Sequence, residues 1–305
     1  MPILERDPWR FQFFEHVKCP DDVLIPTDDP DCWELYPAFR WIYNKLLVAE
    51  SQGLPCGPHG AMPARFPVFS KPITNLKGMG TGSVVIGSAD ELAQHHQFGH
   101  MWMQLLVGDH VSTDCVVLNG TVHWTRHASG TSGPGGTFTF WKIESVQKPQ
   151  LENMIAAWVK RHMRGYHGII NFETINGFII EAHLRFADQW CDLYGAGWAE
   201  ALVKLYADHV WIFDDTARQV GFSVPLFAQH GGKYLIPSLE AQTHIRSMPH
   251  VKSLQITFDE KKEAAAHPMP PGGFRLAVIN ATDLKAGFAA RDELARAFPG
   301  VLMLA

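Results

Sequence analysis

The sequence predicts an α+β fold, in which helices pack on mostly antiparallel hairpins. Two turn signals support the hairpins, because Asn119-Gly120 and Asn176-Gly177 each lie between segments rich in strand-forming residues. Apolar residues at helical spacing support the helices, as between Tyr36 and Gln52. This order of hairpins and helices is typical of the α+β class.

Composition and charge narrow the class of partner. The chain has 305 residues, of which 46% are apolar and 19% charged, so it is long enough for one large or two ordinary domains. The net charge of -5 gives no electrostatic reason to bind nucleic acid or an anionic membrane surface. We therefore expect a small-molecule partner, with no nucleic acid and no membrane.

Cysteine usage and the N-terminal segment indicate the compartment. The five cysteines form no C-x-x-C pair and have no regular spacing, so neither a zinc knuckle nor a disulfide framework is predicted. The N-terminus lacks a basic region followed by an apolar run, and no window approaches the roughly 18 apolar residues of a membrane span. A cytoplasmic protein is expected.

The elements are predicted in a definite order. Residues 1 to 36 contain several prolines and the acidic cluster PTDDPD, so an arm or short cap is expected there. The further predictions are a helix over 36–52, strands in FPVFSKPI (66–73) and VVIG (84–87), a helix from Asp90, an apolar run MWMQLLVG (101–108), a hairpin over 110–126, a flexible loop over 128–137, a helix over 151–164, a hairpin over 168–185, a helix over 197–208, strands near 220–227 and 251–258, a strand RLAVIN (275–280) and a helix near 283–297.

The segment FIIEAHLR (178–185) places three ionisable residues, Glu181, His183 and Arg185, at every second position. On a strand they share one face. For such a pattern taken alone, an amphipathic edge strand with its charges in water is the more common explanation. Glu173 lies across the turn near the register of Glu181, so two carboxylates are expected to converge.

Two adjacent carboxylates repel each other unless a cation joins them. Mg²⁺ prefers carboxylate oxygen and usually accompanies a bound phosphate at such sites. Arg185, on the same face, is suited to neutralise phosphate or developing negative charge. The glycine-rich segment NLKGMGTGS (75–83) offers unshielded backbone N–H groups, and Lys71 precedes it. That segment does not match the G-x-x-x-x-G-K-[ST] loop, and a plain glycine-rich turn is an equally common explanation.

Taken together, these motifs resemble the ATP-grasp superfamily, over a stretch from Tyr43 to Arg185. The resemblance implies ATP bound between two α+β subdomains, clasped by antiparallel sheets, with a small C-terminal α/β extension. YNKLLVAESQGLPCGP is similar to the opening helix of the family, and FPVFSKPI to the strand with the second phosphate-binding lysine. The implied phosphate-binding residues are Lys45, Lys71, Gly78, Gly80 and Gly82.

The remaining motifs complete the implied nucleotide site. WMQLLVG resembles the hinge strand that recognises adenine, which implies a role for Gln104, Leu105, Leu106 and Val107. The family usually has an acidic residue where Gln104 stands, although an amide oxygen accepts the same hydrogen bond. His110 takes a position that commonly contacts ribose.

The second hairpin resembles the metal-binding hairpin of the family. The resemblance implies Glu173 and Glu181 as metal ligands and Arg185, with Lys71, as catalytic residues. His183 stands where the family most often has asparagine; either it faces the metal and phosphates or it supports a neighbouring group. An imidazole suits Mn²⁺ and other transition ions better than Mg²⁺.

The implied activity is that of an ADP-forming ATP-grasp ligase that uses ATP and Mg²⁺ or Mn²⁺. Such a ligase activates a carboxylate as an acyl phosphate, which an amine or another nucleophile then attacks. A nucleotide-binding pseudoenzyme or regulatory subunit, and a small-molecule kinase of the same fold, remain alternatives. Arg126 and His127 either bind a substrate anion or form an ordinary pair in a strand.

The implied division has three parts. Residues 1–40 form an arm or truncated preceding segment, 41–205 the nucleotide-binding core, and 206–305 a C-terminal subdomain that completes or flanks the fold. Because the arm is short, the loop 128–137, the C-terminal part, a homo-oligomer or a partner chain is expected to contribute to substrate recognition.

Overall fold

The computed structural model describes residues 3–5, 7–76 and 78–298. The α-helices are α1 (Asp29–Leu35), α2 (Lys45–Ser51), α3 (Ala89–Gln94), α4 (Pro149–His162), α5 (Trp198–Asp208), α6 (Leu239–Ser247) and α7 (Leu284–Arg296). The strands are β1 (Ile3–Leu4), β2 (Ile25–Pro26), β3 (Cys56–Pro58), β4 (Val68–Pro72), β5 (Val84–Ile86), β6 (His100–Gln104), β7 (His110–Leu118), β8 (Thr121–Ser132), β9 (Phe138–Ile143), β10 (Gly168–Ile175), β11 (Phe178–His183), β12 (Gly221–Ala228), β13 (Val251–Ile256) and β14 (Phe274–Ala281). Short 3-10 helices occupy Pro8–Phe13, Pro37–Tyr43, Pro134–Gly136, Cys191–Leu193 and Ala264–Ala266.

Two antiparallel sheets dominate the architecture. The larger has eight strands in the order β11-β10-β7-β8-β9-β12-β14-β13, and the smaller has four in the order β3-β6-β4-β5. A separate parallel pair joins β1 to β2. Both predicted hairpins are confirmed, since β7 pairs with β8 and β10 with β11. The predicted α+β class is therefore confirmed.

The large sheet separates an apolar face from a polar one near its β11 edge. Along β10, Ile170 and Phe172 belong to the core cluster that includes Trp158 of α4. Asn171 and Glu173 alternate with them and project from the opposite side. The ionisable side chains of the hairpin are thus kept together on the face that α4 does not cover.

Helix α2 holds the small sheet against the edge strand of the large one. The Gln52 side chain accepts a hydrogen bond from the Ile179 N–H at 2.8 Å and donates one to the Ile179 carbonyl at 2.5 Å. Met101 and Met103 of β6 share an apolar cluster with Ile180 of β11. These contacts fix α2 and the small sheet beside the β10–β11 hairpin.

The predicted single helix over 36–52 is wrong. The chain forms the 3-10 helix Pro37–Tyr43, leaves helical geometry at Asn44, and restarts as α2. The Asn44 side chain accepts hydrogen bonds from the N–H groups of Leu46 and Leu47 at 3.1 Å each. Apolar spacing continued through this break, but an asparagine cap favours a new helix start at that position.

The predicted flexible loop over 128–137 is also wrong in part. Strand β8 continues to Ser132, because Gly130 pairs with His110 on one side and with Trp141 on the other. Strand β9 and helix α6 were not anticipated. Glycine and serine content indicated a loop, whereas two flanking strands supply the ladder that keeps this segment extended.

The five cysteines are free thiols. Within the described ranges, no helix combines the length and apolar character that crossing a membrane requires.

Candidate functional site

The β10–β11 hairpin brings two carboxylates face to face. Glu173 pairs directly with Glu181 across the two strands, as the sequence predicted. Each carboxylate has its own basic neighbour: Lys45 Nζ lies 2.7 Å from Glu181 Oε1, and His110 Nε2 lies 3.0 Å from Glu173 Oε2. Burial raises the pKa of Glu173, but the hydrogen bond and charge of His110 outweigh this and lower the pKa to about 2. Glu173 is therefore held as an anion directly opposite Glu181.

Two buried lysines reach the hairpin from the small-sheet side. Lys45 is the first residue of α2, and its backbone N–H donates to the Ile73 carbonyl at 2.9 Å. Lys71 of β4 donates from Nζ to the Ile180 carbonyl at 2.7 Å. Burial, and then the charge of Lys45, lower the pKa of Lys71 to about 8. Only 7% of Lys45 and 5% of Lys71 are exposed, so neither is an ordinary surface lysine.

A buried aspartate that sequence reasoning missed organises the other end of the hairpin. Asp29 of α1 lies 2.8 Å from His183 Nδ1 and accepts a hydrogen bond from Arg185 at 3.1 Å. Tyr43 donates its hydroxyl to Asp29 at 3.2 Å. Burial raises the pKa of Asp29, but Arg185 and His183 outweigh it, so the net pKa is lowered. Asp29 had appeared only as part of an acidic turn cluster, and no local signal distinguished it.

The contact with Asp29 affects the protonation of His183 and therefore its ability to bind a metal. Burial lowers the pKa of His183, but the Asp29 carboxylate more than offsets this and the net pKa is raised. Nδ1 faces Asp29, and Nε2 lies 3.7 Å from Glu181 Oε1. A protonated imidazole offers no lone pair to a metal, so coordination by His183 would require loss of the Nε2 proton. Metal binding by His183 stays a prediction.

The glycine-rich segment crosses from β4 to β5. Gly78, Gly80 and Gly82 adopt φ of 64°, 63° and 76°, the left-handed region that glycine enters without strain. An added Cβ at Gly78 or Gly80 would meet no atom within 4 Å. The segment therefore presents backbone that no neighbouring group crowds at these two positions. Lys77, in its middle, lies outside the described residues.

The predicted adenine-binding segment begins at the end of β6 and comprises Gln104, Leu105, Leu106 and Val107. The backbone N–H of Gln104 donates to the Pro55 carbonyl at 2.8 Å. Leu106 packs in the cluster that contains Ile180 of the hairpin, whereas 79% of Val107 is exposed. The segment thus lies beside the hairpin, with its last residue open to solvent.

Aromatic rings that the sequence did not single out surround His110. Its ring centroid lies 5.2 Å from that of Phe138 and 5.4 Å from that of Trp141. Both rings come from β9, the strand that sequence reasoning missed. Their packing orients the imidazole towards Glu173.

Arg126 and His127, considered as substrate-anion ligands, have other partners. Arg126 donates to Asp215 at 2.9 Å, and His127 lies 2.9 Å from Glu152 Oε1 and from Thr113 Oγ1. Adjacent on β8, they project to opposite faces of the sheet. Neither joins the hairpin cluster.

The hairpin cluster, which we define as Lys45, Lys71, Glu173, Glu181, His183, Arg185 and Asp29, contains six of the predicted site residues. Across the described ranges, no group of three or more His, Cys, Asp or Glu side chains has the geometry to hold a metal ion by itself. Glu173 and Glu181 supply only two carboxylates, so a six-coordinate metal there would take further ligands from phosphate or water.

Comparisons with solved structures identify the fold. The L-amino acid ligase from Bacillus licheniformis matches with a TM-score of 0.65 and 13% identity, over 97% of this chain and 83% of that one. The carboxyaminoimidazole ribonucleotide synthase from Aspergillus clavatus, complexed with ATP, matches with a TM-score of 0.62 and 14% identity, over 86% and 75%. The biotin carboxylase domain of the 2-oxoglutarate carboxylase from Hydrogenobacter thermophilus, in complex with MgADP and bicarbonate, matches with a TM-score of 0.58 and 13% identity, over 90% and 72%.

No model of a protein family matches the sequence, and no curated protein matches it. The solved structures that do match are ATP-grasp enzymes. The chain therefore has the ATP-grasp fold, as its motifs predicted.

Proposed function

We propose that this protein is an ADP-forming, ATP-dependent ligase that activates a small carboxylic acid as an acyl phosphate for attack by an amine or another nucleophile. One observation carries the proposal: two buried lysines, two opposed carboxylates and a half-buried arginine meet at one hairpin. Folding alone does not require such a set, because buried charges are costly unless they are closely paired. The structural neighbours that bind ATP or MgADP support the choice of nucleotide.

The residues present fit the phosphates of a nucleotide. Lys45 and Lys71 lie close enough for the charge of one to lower the pKa of the other. Two neighbouring cations need anions between them, and Glu181 satisfies only Lys45 directly. The uncrowded backbone at Gly78 and Gly80 adds N–H donors, which suit phosphate oxygens.

Glu173 and Glu181 would hold the divalent cation that accompanies the nucleotide. Mg²⁺ is usually bound by one or two carboxylates together with phosphates and water, which fits a site with two protein carboxylates. When bound, the ion acts as a Lewis acid that offsets charge on the phosphoryl group. Lys45, now 2.7 Å from Glu181, is placed to move to a phosphate when a metal takes the carboxylate. Mn²⁺ is the alternative ion if His183 contributes a ligand.

Arg185 is placed to stabilise charge at the reacting end of the nucleotide. Asp29 fixes its guanidinium at 3.1 Å, so little reorganisation is needed during the reaction. Phosphoryl transfer of this kind depends on positioning and electrostatic stabilisation. An enzyme nucleophile is not required.

The direct test is release of ADP from ATP by the purified protein, with panels of carboxylic acids and amines. We expect release only when an acid, an amine and Mg²⁺ or Mn²⁺ are all present. Release that needs the acid but no amine would indicate the kinase alternative. Nucleotide binding without any turnover across the panel would indicate the regulatory alternative, and absence of nucleotide binding would refute the proposal.

A further inference from the structure

Arg275 is a buried arginine whose guanidinium has no ion-pair partner among the residues that the structure describes. It lies near the start of β14 and is only 7% exposed. Its Nε is buried and has no hydrogen-bond acceptor, and throughout the described ranges the guanidinium forms no ion pair. Burial, and then the charge of Arg10, lower the pKa of Arg275 to about 10, so it is still a cation at neutral pH.

Two other arginines, Arg10 and Arg185, form the ion pairs that Arg275 lacks. Arg10 Nη1 lies 2.7 Å from Asp188 and 2.8 Å from Asp7. Arg185 is paired with Asp29. The charges of Asp188 and Asp7 also act on Arg275, but among the described residues neither carboxylate forms an ion pair with it. An unpaired buried charge is costly, which indicates that its partner is supplied from outside the chain.

The loop after the hairpin connects this arginine to the proposed reaction centre. The loop leaves β11 at Arg185 and runs across β13 and β14, where the Gln189 carbonyl accepts hydrogen bonds from Gln255 and Asn280 at 2.8 Å each. Asp188, in the same loop, holds Arg10. The charge of Asp188 also acts on both Arg185 and Arg275, so this loop relates the two arginines.

We propose that Arg275 binds a second anionic group of the acid substrate, so that the acid is a dianion. One carboxylate is activated beside Arg185, and the other anion, a carboxylate or a phosphate, pairs with Arg275. A planar guanidinium with free N–H groups matches both kinds of oxyanion in two-point contacts. This inference rests on the proposed function for the role of the acid, but the anion site can be tested without nucleotide.

The experiment is thermal unfolding of the full chain in succinate, glutarate or O-phosphoserine. Butyrate and sodium chloride at matched ionic strength are the controls. We expect the dianions to raise the melting temperature of the wild type beyond the effect of salt, and butyrate to match salt. A response to dicarboxylates or to O-phosphoserine alone identifies which anion is preferred.

The matched variants are Arg275→Met and, as a control, Arg65→Met at an exposed position. Arg275→Met should raise the melting temperature of the ligand-free protein, because it removes an unpaired buried charge, and should abolish the response to dianions. Arg65→Met should leave both unchanged. A lower melting temperature in Arg275→Met, an intact dianion response in that variant, or no dianion response in the wild type would overturn the inference.

The same thermal-unfolding experiment includes ATP with Mg²⁺. It therefore distinguishes failure of the Arg275 anion site from failure of the proposed ligase function. A nucleotide shift without a dianion shift removes only the role of Arg275. A dianion shift without any nucleotide shift leaves an anion site and removes the ligase.

Discussion

Two arginines on the large sheet were plausible anion ligands from the sequence, and the structure separates them. Arg126 of β8 pairs with Asp215 at 2.9 Å, and Arg185 after β11 pairs with Asp29 at 3.1 Å. Each pair joins residues far apart in the sequence, and each aspartate is largely buried. Pairing and burial alone do not distinguish them.

The surroundings of the two pairs differ. Asp215 also accepts a hydrogen bond from Trp124 at 2.6 Å and forms an ion pair with Arg218 at 2.7 Å, so its partners are structural residues of β8 and of its own segment. Asp29 instead binds His183, which lies 3.7 Å from Glu181. The second network therefore continues into further ionisable groups, which suits the proposed active site, whereas the first ties β8 to the segment around Asp215.

The largest expected effect is loss of turnover in Glu181→Gln. The change removes a metal-binding charge but keeps the shape of the side chain, and its amide oxygen can still accept from Lys45. We expect ADP release to fall by about 10²–10³-fold, the usual size for loss of one electrostatic contribution at an active site. Glu152→Gln, which alters the carboxylate beside His127, is the matched control and should keep its activity. Wild-type turnover in Glu181→Gln would refute the metal assignment.

The next largest effects are expected when Arg126 and Arg185 are each replaced by methionine. Arg126→Met should lower the free energy of unfolding by up to about 3 kcal/mol, since it breaks a buried pair but leaves Arg218 on Asp215. The folded fraction should retain normal kcat. Arg185→Met should lower kcat even under conditions where it is fully folded. Denaturant unfolding and steady-state kinetics measure both quantities, and equal kcat in the two variants would remove the distinction between the networks.

A smaller effect, on the affinity for ATP, is expected when Lys71 is replaced. Lys71→Met should raise the Kd for ATP by about tenfold, the effect of losing roughly 1.4 kcal/mol of binding energy. Lys285→Met, at an exposed position of α7, should leave the Kd unchanged. Titration calorimetry gives both values directly. An unaltered Kd in Lys71→Met would show that the phosphate site is misplaced.

The pH dependence of ATP affinity also tests the assignment of Lys71 to the phosphate site. With a pKa of about 8, below its usual value, Lys71 is charged in the nucleotide-free protein below pH 8 and increasingly neutral above it. Affinity for ATP should therefore weaken as the pH rises through about 8, and Lys71→Met should lack this dependence. A wild-type Kd that is constant between pH 7 and 9 would contradict the assignment.

Local patterns predicted the hairpins because a turn dipeptide and strand-forming flanks act over short distances. The opposition of Glu173 and Glu181 followed from the same turn. The helix break at Asn44 was missed because apolar spacing continued through it, and β9 was missed because its stability comes from its neighbours β8 and β12.

Long-range contacts explain what sequence reasoning missed in the site. The charged groups that surround Asp29 and Arg275 come from segments far away in the sequence, so no local motif marks either residue. The resemblance to the ATP-grasp superfamily implied that Lys45 and Lys71 bind phosphate, but only the fold shows that both are buried and adjacent.

The most direct test of the central claim is thermal unfolding of the wild type with ATP, ADP or GTP, each with Mg²⁺, Mn²⁺ or a chelator. A ligand that binds only the folded state at 100 times its Kd adds about 2.7 kcal/mol to the free energy of unfolding, which is readily detected. We expect adenine nucleotides to stabilise the protein, more strongly with a divalent cation than with the chelator. Absence of a shift with every nucleotide would contradict the account.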